Sequence, residues 1–175
     1  MDIGIGLFGL GTVGSGVVKI LQDNADQIAK RTGTHLLVKH AVVNNLEKKR
    51  TGFINNFPIT NDAKDILNNP EIQIVVEVMG TLDQAYKIIK DSLTAKKHVV
   101  TANKDLIASR GQELVAIAEA NGVDLFFEAA VAGGIPILRT LANSFTADEI
   151  SRVAGIINGT SNFILTQMTT NKLSY

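Results

Sequence analysis

The sequence predicts an α/β protein built on a doubly wound parallel sheet. Short apolar runs bounded by glycine alternate with segments in which apolar residues recur every three or four positions, and glycines cluster at the joints. Alternation of this kind implies parallel strand pairing through right-handed crossovers. After about residue 130 the pattern changes to a Gly-Gly-Ile-Pro turn, which predicts the beginning of a second α/β unit.

The periodicity assigns each element in order. Before residue 130, strands are predicted at 3–8, 36–43, 72–80, 98–102 and 123–129, and helices at 13–33, 83–97 and 111–122. Residues 44–71 are predicted as a loop rich in charge and asparagine. Beyond residue 130, the expected elements are a helix at 136–145, a strand at 149–158 and a helix at 160–168.

Composition excludes several classes of protein. The 175 residues are 45% hydrophobic, and 17 Lys and Arg balance 17 Asp and Glu, which gives no support to a nucleic-acid or membrane-surface partner. Cysteine is absent, so disulfides, thiolate metal sites and thiol nucleophiles are excluded within these residues. With no signal sequence or membrane-span pattern, we expect a soluble cytoplasmic domain.

A glycine-rich stretch, FGLGTVGSG, follows the first predicted strand and opens the first helix. Gly9, Gly11 and Gly14 match G-x-G-x-x-G in the strand–turn–helix context that the motif requires. In that context the first glycine makes a tight turn, the second admits a pyrophosphate and the third lets the helix pack on the strand. The stretch therefore predicts a Rossmann-like dinucleotide-binding domain at residues 1–130, whereas a turn that only serves packing is the structural alternative.

The end of the second predicted strand bears on which dinucleotide is bound. It closes in Val43-Asn44-Asn45, without the carboxylate that usually binds the ribose 2′-hydroxyl of NAD. Three cations, Lys48, Lys49 and Arg50, follow and could hold the 2′-phosphate of NADP. A solvated basic loop is the alternative, and acceptance of either NAD or NADP remains open.

A lysine follows the predicted strand HVVTA, in the segment TANK. Because ligands of open α/β sheets bind beyond the carboxyl ends of the strands, Lys104 is expected on the same edge as the glycine loop. An ammonium there could stabilise negative charge that develops on a carbonyl oxygen during hydride transfer. The alternative is a surface lysine at a helix start.

Two later segments allow both structural and functional interpretations. Glu128 and the small residues after it could surround a cation with carbonyl oxygens, although the residues alone favour a hinge. In GIINGTSNFIL, Asn158 and residues 160–162 could cap a helix or face a cleft. Glu77, inside the apolar run IVVEVMG, could reach the cleft or pair with a cation, and the sequence does not decide between the two. The three histidines lack triad or metal-ligand spacing and are predicted to be structural.

Together these stretches resemble the homoserine dehydrogenase family over essentially the whole chain. The resemblance rests on four segments in the family's order and spacing: GLGTVGSGVV, HVVTANKDLIA, FEAAVAGGIPILRTL and GIINGTSNFIL. It implies interconversion of L-homoserine and L-aspartate 4-semialdehyde with NAD or NADP, in threonine, methionine and isoleucine biosynthesis. It also implies a homo-oligomeric complete protein.

The resemblance assigns roles to single positions. Leu10, Gly11, Thr12 and Val13 would line the cofactor phosphates, Lys104 would lie at the nicotinamide and substrate end, and Gly159 would border the cleft. A sodium site, built mainly from main-chain carbonyls, would be formed by Glu128, Val131, Gly133 and Ile135.

One departure concerns length, because members of the family are much longer than 175 residues. Residues 131–175 are therefore expected to form a linker and the incomplete start of a substrate domain. The family's acidic substrate-binding residues and its second, proton-donating lysine would lie beyond residue 175, so the fragment is expected to bind cofactor and to show little turnover. Two alternatives are an aspartate-semialdehyde dehydrogenase, which needs a cysteine that these residues lack, and a non-catalytic dinucleotide sensor.

Overall fold

The computed structural model describes residues 2–53 and 56–174. By its internal contacts the chain divides into two units, residues 1–133 and residues 134–175. The described residues contain no helix that is long and apolar enough to cross a membrane.

The first unit is built on a six-stranded sheet in which every pairing is parallel. The strands are β1 (Asp2–Phe8), β2 (His35–Val42), β3 (Ile59–Thr60), β4 (Ile74–Glu77), β5 (His98–Thr101) and β6 (Leu125–Phe126), in the spatial order β3-β2-β1-β4-β5-β6. The strand order reverses between β1 and β4, which places a topological switch point beyond their carboxyl ends. The predicted doubly wound, Rossmann-like fold is confirmed.

Helices cover both faces of this sheet. They are α1 (Thr12–Asp23), α2 (Ala25–Thr32), α3 (Lys64–Leu67), α4 (Asp83–Thr94) and α5 (Lys104–Asn121). One apolar cluster joins α4 and α5 to the sheet through residues such as Ile89, Leu114 and Val99. A second cluster joins α1 to the sheet through Val18, Leu7 and Val76. Burial on both faces explains why β1 and β4 are almost continuously apolar.

The predicted helix 13–33 is wrong in one respect, because it is two helices. At Asn24 the backbone leaves the helical region, with φ −115° and ψ 18°. The Asn24 side-chain amide donates to the carbonyl of Ile20 at 3.1 Å, a local bond that competes with helix continuation. The predicted end near Gly33 is correct, since Gly33 closes α2 in the left-handed region at φ 73°.

The segment 44–71 is not a plain loop, because it contains β3 and α3. Two and four residues are too short to show a period in the sequence. Elsewhere α5 begins at Lys104 and not at residue 111, and β6 is limited to Leu125–Phe126. Glu128 consequently lies in a short 3₁₀ turn, Glu128–Ala130, beyond the strand.

The second unit contains α6 (Ile137–Ser144) and α7 (Gly159–Asn171). The strand predicted at 149–158 is wrong: these residues adopt no regular structure and are all exposed. A strand needs a neighbour to satisfy its backbone donors and acceptors, and none of the described strands pairs with this segment.

Candidate functional site

The glycine loop occupies the turn between β1 and α1. Gly9 has φ +100°, and a Cβ there would lie 2.8 Å from the carbonyl oxygen of Val78. At Gly14, on the buried side of α1, a Cβ would lie 2.1 Å from the carbonyl oxygen of Gly9. The first and third glycines of the motif are therefore required by the turn and by helix–strand packing.

Gly11 differs from both of these glycines. Its φ is −80°, and a Cβ added there would meet no atom within 4 Å. It precedes the first turn of α1, where no side chain caps the helix and no acidic residue is present. The missing side chain leaves open space in front of the positive end of a helix dipole, which suits a phosphate group.

A cleft of about 250 Å³ opens beside this loop, at the switch point of the sheet. Leu10 and Gly11 form one wall, and the residues after β2 form another. The remaining lining comes from the segments that follow β3 and β4, namely Asn61, Ala63, Val78, Met79, Gln84 and Ile88. Thr12 and Val13, the first two residues of α1, are exposed and do not belong to the lining.

The basic loop contributes Lys48 and Arg50 to the cleft lining, but not Lys49. The guanidinium of Arg50 donates to the carbonyl oxygens of Lys48 at 2.8 Å and of Asn45 at 2.7 Å. The Nε of Arg50 is buried without a hydrogen-bond partner among the described residues. The side chain of Arg50 thus stabilises the loop to which it belongs. The ammonium of Lys48, in contrast, has no hydrogen-bond or ion-pair partner in the described part of the chain.

The carboxyl ends of β4 and β5 are joined by Glu77, which is fully buried. Its Oε1 accepts from the backbone N–H of Met79 at 2.8 Å, and its Oε2 accepts from the hydroxyl of Thr101 at 2.7 Å. Within residues 2–53 and 56–174 it forms no ion pair. Among the residues that the structure describes, Glu77 therefore pairs with no cation, and it does not line the cleft.

Lys104 is the first residue of α5 and is exposed, on the same edge of the sheet as the glycine loop. It does not line the 250 Å³ cleft. The preceding residue, Asn103, caps the helix by accepting from the N–H of Leu106 at 3.2 Å and donates to the carbonyl of Thr81 at 2.7 Å. The helix start is thereby tied to the segment that follows β4.

The four predicted sodium ligands fall in both units. Glu128, Val131 and Gly133 belong to the first unit and Ile135 to the second. The carbonyl of Glu128 accepts from the N–H of Val131 at 3.1 Å, and that of Ile135 accepts from the N–H of Ile137 at 2.8 Å. Each carbonyl oxygen retains a second lone pair. The described residues contain no group of three His, Cys, Asp or Glu that could hold a metal.

Several polar residues have structural roles. Asn158 caps α7 by accepting from the N–H of Ser161 at 2.8 Å, and Gly159 is the exposed first residue of that helix. The ring of His40 lies 2.9 Å from the hydroxyl of Thr60, and Nδ1 of His98 accepts from the N–H of Asp124 at 3.1 Å. These contacts agree with the structural interpretation of both histidines.

Sequence reasoning missed part of the cleft lining, including Asn61, Ala63 and Gln84. The signal available for Asn61 was its position directly after two β-branched residues, Ile59 and Thr60, which form β3. Gln84 lies in the first turn of α4, a position that carries no motif.

The fold and the cleft define a dinucleotide-binding α/β domain. The family model described as "Homoserine dehydrogenase, NAD binding domain" matches residues 9–128, and the model described as "Homoserine dehydrogenase" matches residues 136–175. The chain belongs to the homoserine dehydrogenase family.

Individual relatives agree with this assignment. Homoserine dehydrogenase of Bacillus subtilis is 49% identical over 173 residues, which cover 99% of this chain and 40% of that protein. The crystal structure of a homoserine dehydrogenase from Thiobacillus denitrificans superposes with a TM-score of 0.90 at 46% identity, over 99% of this chain and 40% of the other. A hyperthermophilic archaeal homoserine dehydrogenase in complex with NADPH gives a TM-score of 0.61 at 28% identity, over 81% of this chain and 48% of the other. The chain thus spans about 40% of the length of the first two relatives.

Proposed function

We propose that the chain is the NAD(P)-binding part of an enzyme that interconverts L-homoserine and L-aspartate 4-semialdehyde. The observation that carries the proposal is Gly11, where an added Cβ would meet no atom of the described residues within 4 Å, which leaves room at the helix start beside the cleft. Family membership and the NADPH complex of the archaeal relative support it. We propose that residues 1–130 form the dinucleotide-binding domain and that residues 131–175 form a linker and the start of a substrate domain.

Each end of the cofactor is assigned to different residues. The phosphates would contact the backbone of Leu10 and Gly11 and the first turn of α1 at Thr12 and Val13. When bound, the nicotinamide supplies or accepts the hydride. Lys104 would hold its ammonium toward the substrate oxygen and stabilise the negative charge that develops there. Proton transfer is assigned to a second lysine outside these 175 residues.

The preferred cofactor is proposed to be NADP(H). Lys48 lines the cleft with an ammonium that is free of partners in the described residues, and Arg50 holds the loop that presents it. A 2′-phosphate would give Lys48 a charge-assisted hydrogen bond that a 2′-hydroxyl cannot match.

A sodium ion is proposed to bind Glu128, Val131, Gly133 and Ile135, mainly through their main-chain carbonyls. Hard cations prefer oxygen ligands, and carbonyl oxygens are the donors that this segment offers. The test is the thermal unfolding of the chain in NaCl and in choline chloride at equal ionic strength. A higher unfolding temperature in NaCl alone is expected, and identical temperatures would contradict the site.

Two further properties are proposed from the same resemblance, namely a cytoplasmic location and self-association of the complete protein. The absence of cysteine and the balanced charge agree with a reducing, aqueous compartment.

Fluorescence titration of the chain with NADPH tests the proposed function. Saturable binding is expected, and Gly11→Ala should weaken it at least about tenfold, because the added methyl occupies the space of a phosphate. Gly16→Ala is the matched control, since Gly16 lies in α1, has no atom within 4 Å of an added Cβ and does not line the cleft. Equal binding by the wild type and Gly11→Ala would overturn the assignment.

The cofactor preference has its own test. Lys48→Ala should lower the affinity for NADPH about tenfold and leave the affinity for NADH unchanged, because only the former carries the 2′-phosphate. Lys49→Ala should cause a smaller loss, since Lys49 does not line the cleft. Equal losses for NADPH and NADH would contradict a 2′-phosphate role for Lys48.

A further inference from the structure

One buried carboxyl connects the two segments that follow β4 and β5. Glu77 and Thr101 are direct partners in the register of these strands, and both are fully buried. Both carboxyl oxygens of Glu77 are used, one for the N–H of Met79 and the other for the hydroxyl of Thr101.

This carboxyl is not needed to fill the sheet interior. Its neighbours along β4, Val75 and Val76, are buried apolar residues, and a further aliphatic side chain would pack there without the desolvation cost of a carboxyl. A buried carboxyl that accepts hydrogen bonds from two donors fixes the positions of those donors relative to each other.

The hydrogen bonds continue outward from Thr101. Its hydroxyl accepts from the N–H of Asn103 at 3.0 Å, and the side chain of Asn103 binds both the start of α5 and the carbonyl of Thr81. One network therefore holds Met79 and Thr81 on one side and the residue before Lys104 on the other.

Lys104 depends on this network for its position. Its ammonium has no hydrogen-bond or ion-pair partner within the described ranges, so its location is set by the backbone at the first turn of α5. The segment 79–81 reaches toward the cleft, where Met79 is part of the lining.

We infer that Glu77 is a positioning residue for the nicotinamide half of the cofactor site. Through Thr101 and Asn103 it sets the distance between the segment 79–81 and Lys104, which would flank the nicotinamide. This inference rests on the proposed function. The adenosine half would be held at Gly11 and Lys48, which form no hydrogen bond with this network in the described residues.

Two probes separate the two halves of the site. NADPH carries both halves, whereas adenosine 2′,5′-bisphosphate carries only the adenosine half. Thr101→Val keeps the side-chain shape and removes the hydroxyl, and Thr101→Ser keeps the hydroxyl. In Glu77→Gln the amide oxygen can still accept from the N–H of Met79, but the amide nitrogen can only donate to the Thr101 hydroxyl, whose own hydrogen then loses its acceptor.

Thr101→Val and Glu77→Gln are expected to weaken NADPH binding about tenfold and to reduce the change in nicotinamide fluorescence on binding. The affinity for adenosine 2′,5′-bisphosphate should stay within about twofold of the wild type, and Thr101→Ser should restore NADPH binding. Ser92→Ala is the control for a buried polar loss elsewhere, since Ser92 is fully buried and its hydroxyl donates to the carbonyl of Ile88 within α4. It should change neither affinity.

The outcomes distinguish the two proposals. If the wild-type chain binds neither probe, the proposed function fails. If the wild type binds both, and Thr101→Val weakens both equally or neither, the positioning role of Glu77 is wrong while the cofactor site stands. Should Glu77→Gln fail to fold, the comparison of Thr101→Val with Thr101→Ser decides the matter.

Discussion

The three glycines of the G-x-G-x-x-G motif are required for different reasons. Gly9 and Gly14 are demanded by backbone contacts of the protein itself, whereas Gly11 faces empty space. Glycine is therefore required by the fold at two of these positions and by the proposed ligand at the third. The motif alone does not separate these two requirements.

A substitution at Gly14 should damage the fold. Gly14→Ala would place a methyl 2.1 Å from the carbonyl oxygen of Gly9, and the resulting overpacking should lower the free energy of unfolding by about 2 kcal/mol or more. Urea denaturation measures the change, with Gly16→Ala as the control for an alanine in the same helix. Stability equal to that of Gly16→Ala would show that α1 can shift away from β1 freely.

Lys97 is a buried cation whose contacts are all with main-chain carbonyls. It is 5% exposed, and its Nζ donates to the carbonyls of Asn69 at 2.7 Å and Ile72 at 2.6 Å. Desolvation on burial lowers the pKa of Lys97 below its ordinary value of 10.5. Lys97→Met should cost about 1–3 kcal/mol in unfolding free energy at neutral pH, because the Ile72 carbonyl loses its ammonium donor and the Asn69 carbonyl keeps only the N–H of Ile72.

Lys97 should also make the free energy of unfolding depend on pH, in a direction that follows from its pKa. Since the pKa of Lys97 is lower in the folded chain, the unfolded chain binds more protons in the window below 10.5. The stability of the wild type relative to Lys97→Met should therefore increase as pH rises through that window. Urea titrations of both chains from neutral to alkaline pH measure this difference, and a constant or falling difference would contradict it.

At the scale of elements, a left-handed glycine ends α5. Gly122 has φ 67°, and a Cβ there would meet no atom within 4 Å, so only the backbone conformation opposes a side chain. Gly122→Ala should lower the free energy of unfolding by about 1 kcal/mol, and Gly122→Asn by less, because asparagine tolerates this conformation better. Guanidinium denaturation compares the two variants, and equal losses would point to a cause other than backbone conformation.

The long elements could be predicted from the sequence and the short ones could not. The apolar runs of β1, β2, β4 and β5 carry a clear signal because both faces of the sheet are covered. The elements β3 and α3 are too short to show a periodic pattern of apolar residues. The break at Asn24 involves a side-chain hydrogen bond that leaves no pattern in the sequence. The strand predicted at 149–158 failed because apolar content alone does not supply a pairing partner.

The same limit applies to the site. The glycine loop, Lys48 and Arg50 could be predicted to border a cleft because they follow the ends of neighbouring strands. That Arg50 binds its own loop, and that Glu77 binds Thr101 and not a cation, depends on tertiary contacts with no local pattern.

At the scale of the whole molecule, the buried residues lie within the first unit. None of the described residues after Ala118 is fully buried, and both apolar clusters are complete before residue 126. A chain shortened to residues 1–133 should therefore unfold at the same urea concentration as the 175-residue chain and bind NADPH equally well.

A chain from which more residues are removed should behave differently. A chain ending at residue 97 loses β5 and α5, and with them Val99, Leu106 and Leu114 of the larger cluster. It should show no cooperative unfolding by circular dichroism. Loss of cooperative unfolding in the 1–133 chain as well would show that residues 134–175 contribute to the stability of the first unit.

The central place of β1 has a consequence for how the chain emerges from the ribosome. Ile5 pairs on one side with Val38 of β2 and on the other with Ile74 of β4, so one edge of β1 is covered well before the other. At ordinary rates of translation the interval is about 2–7 s. During those seconds the central strand of the sheet presents an open edge, which makes the nascent chain a natural client for a ribosome-bound chaperone.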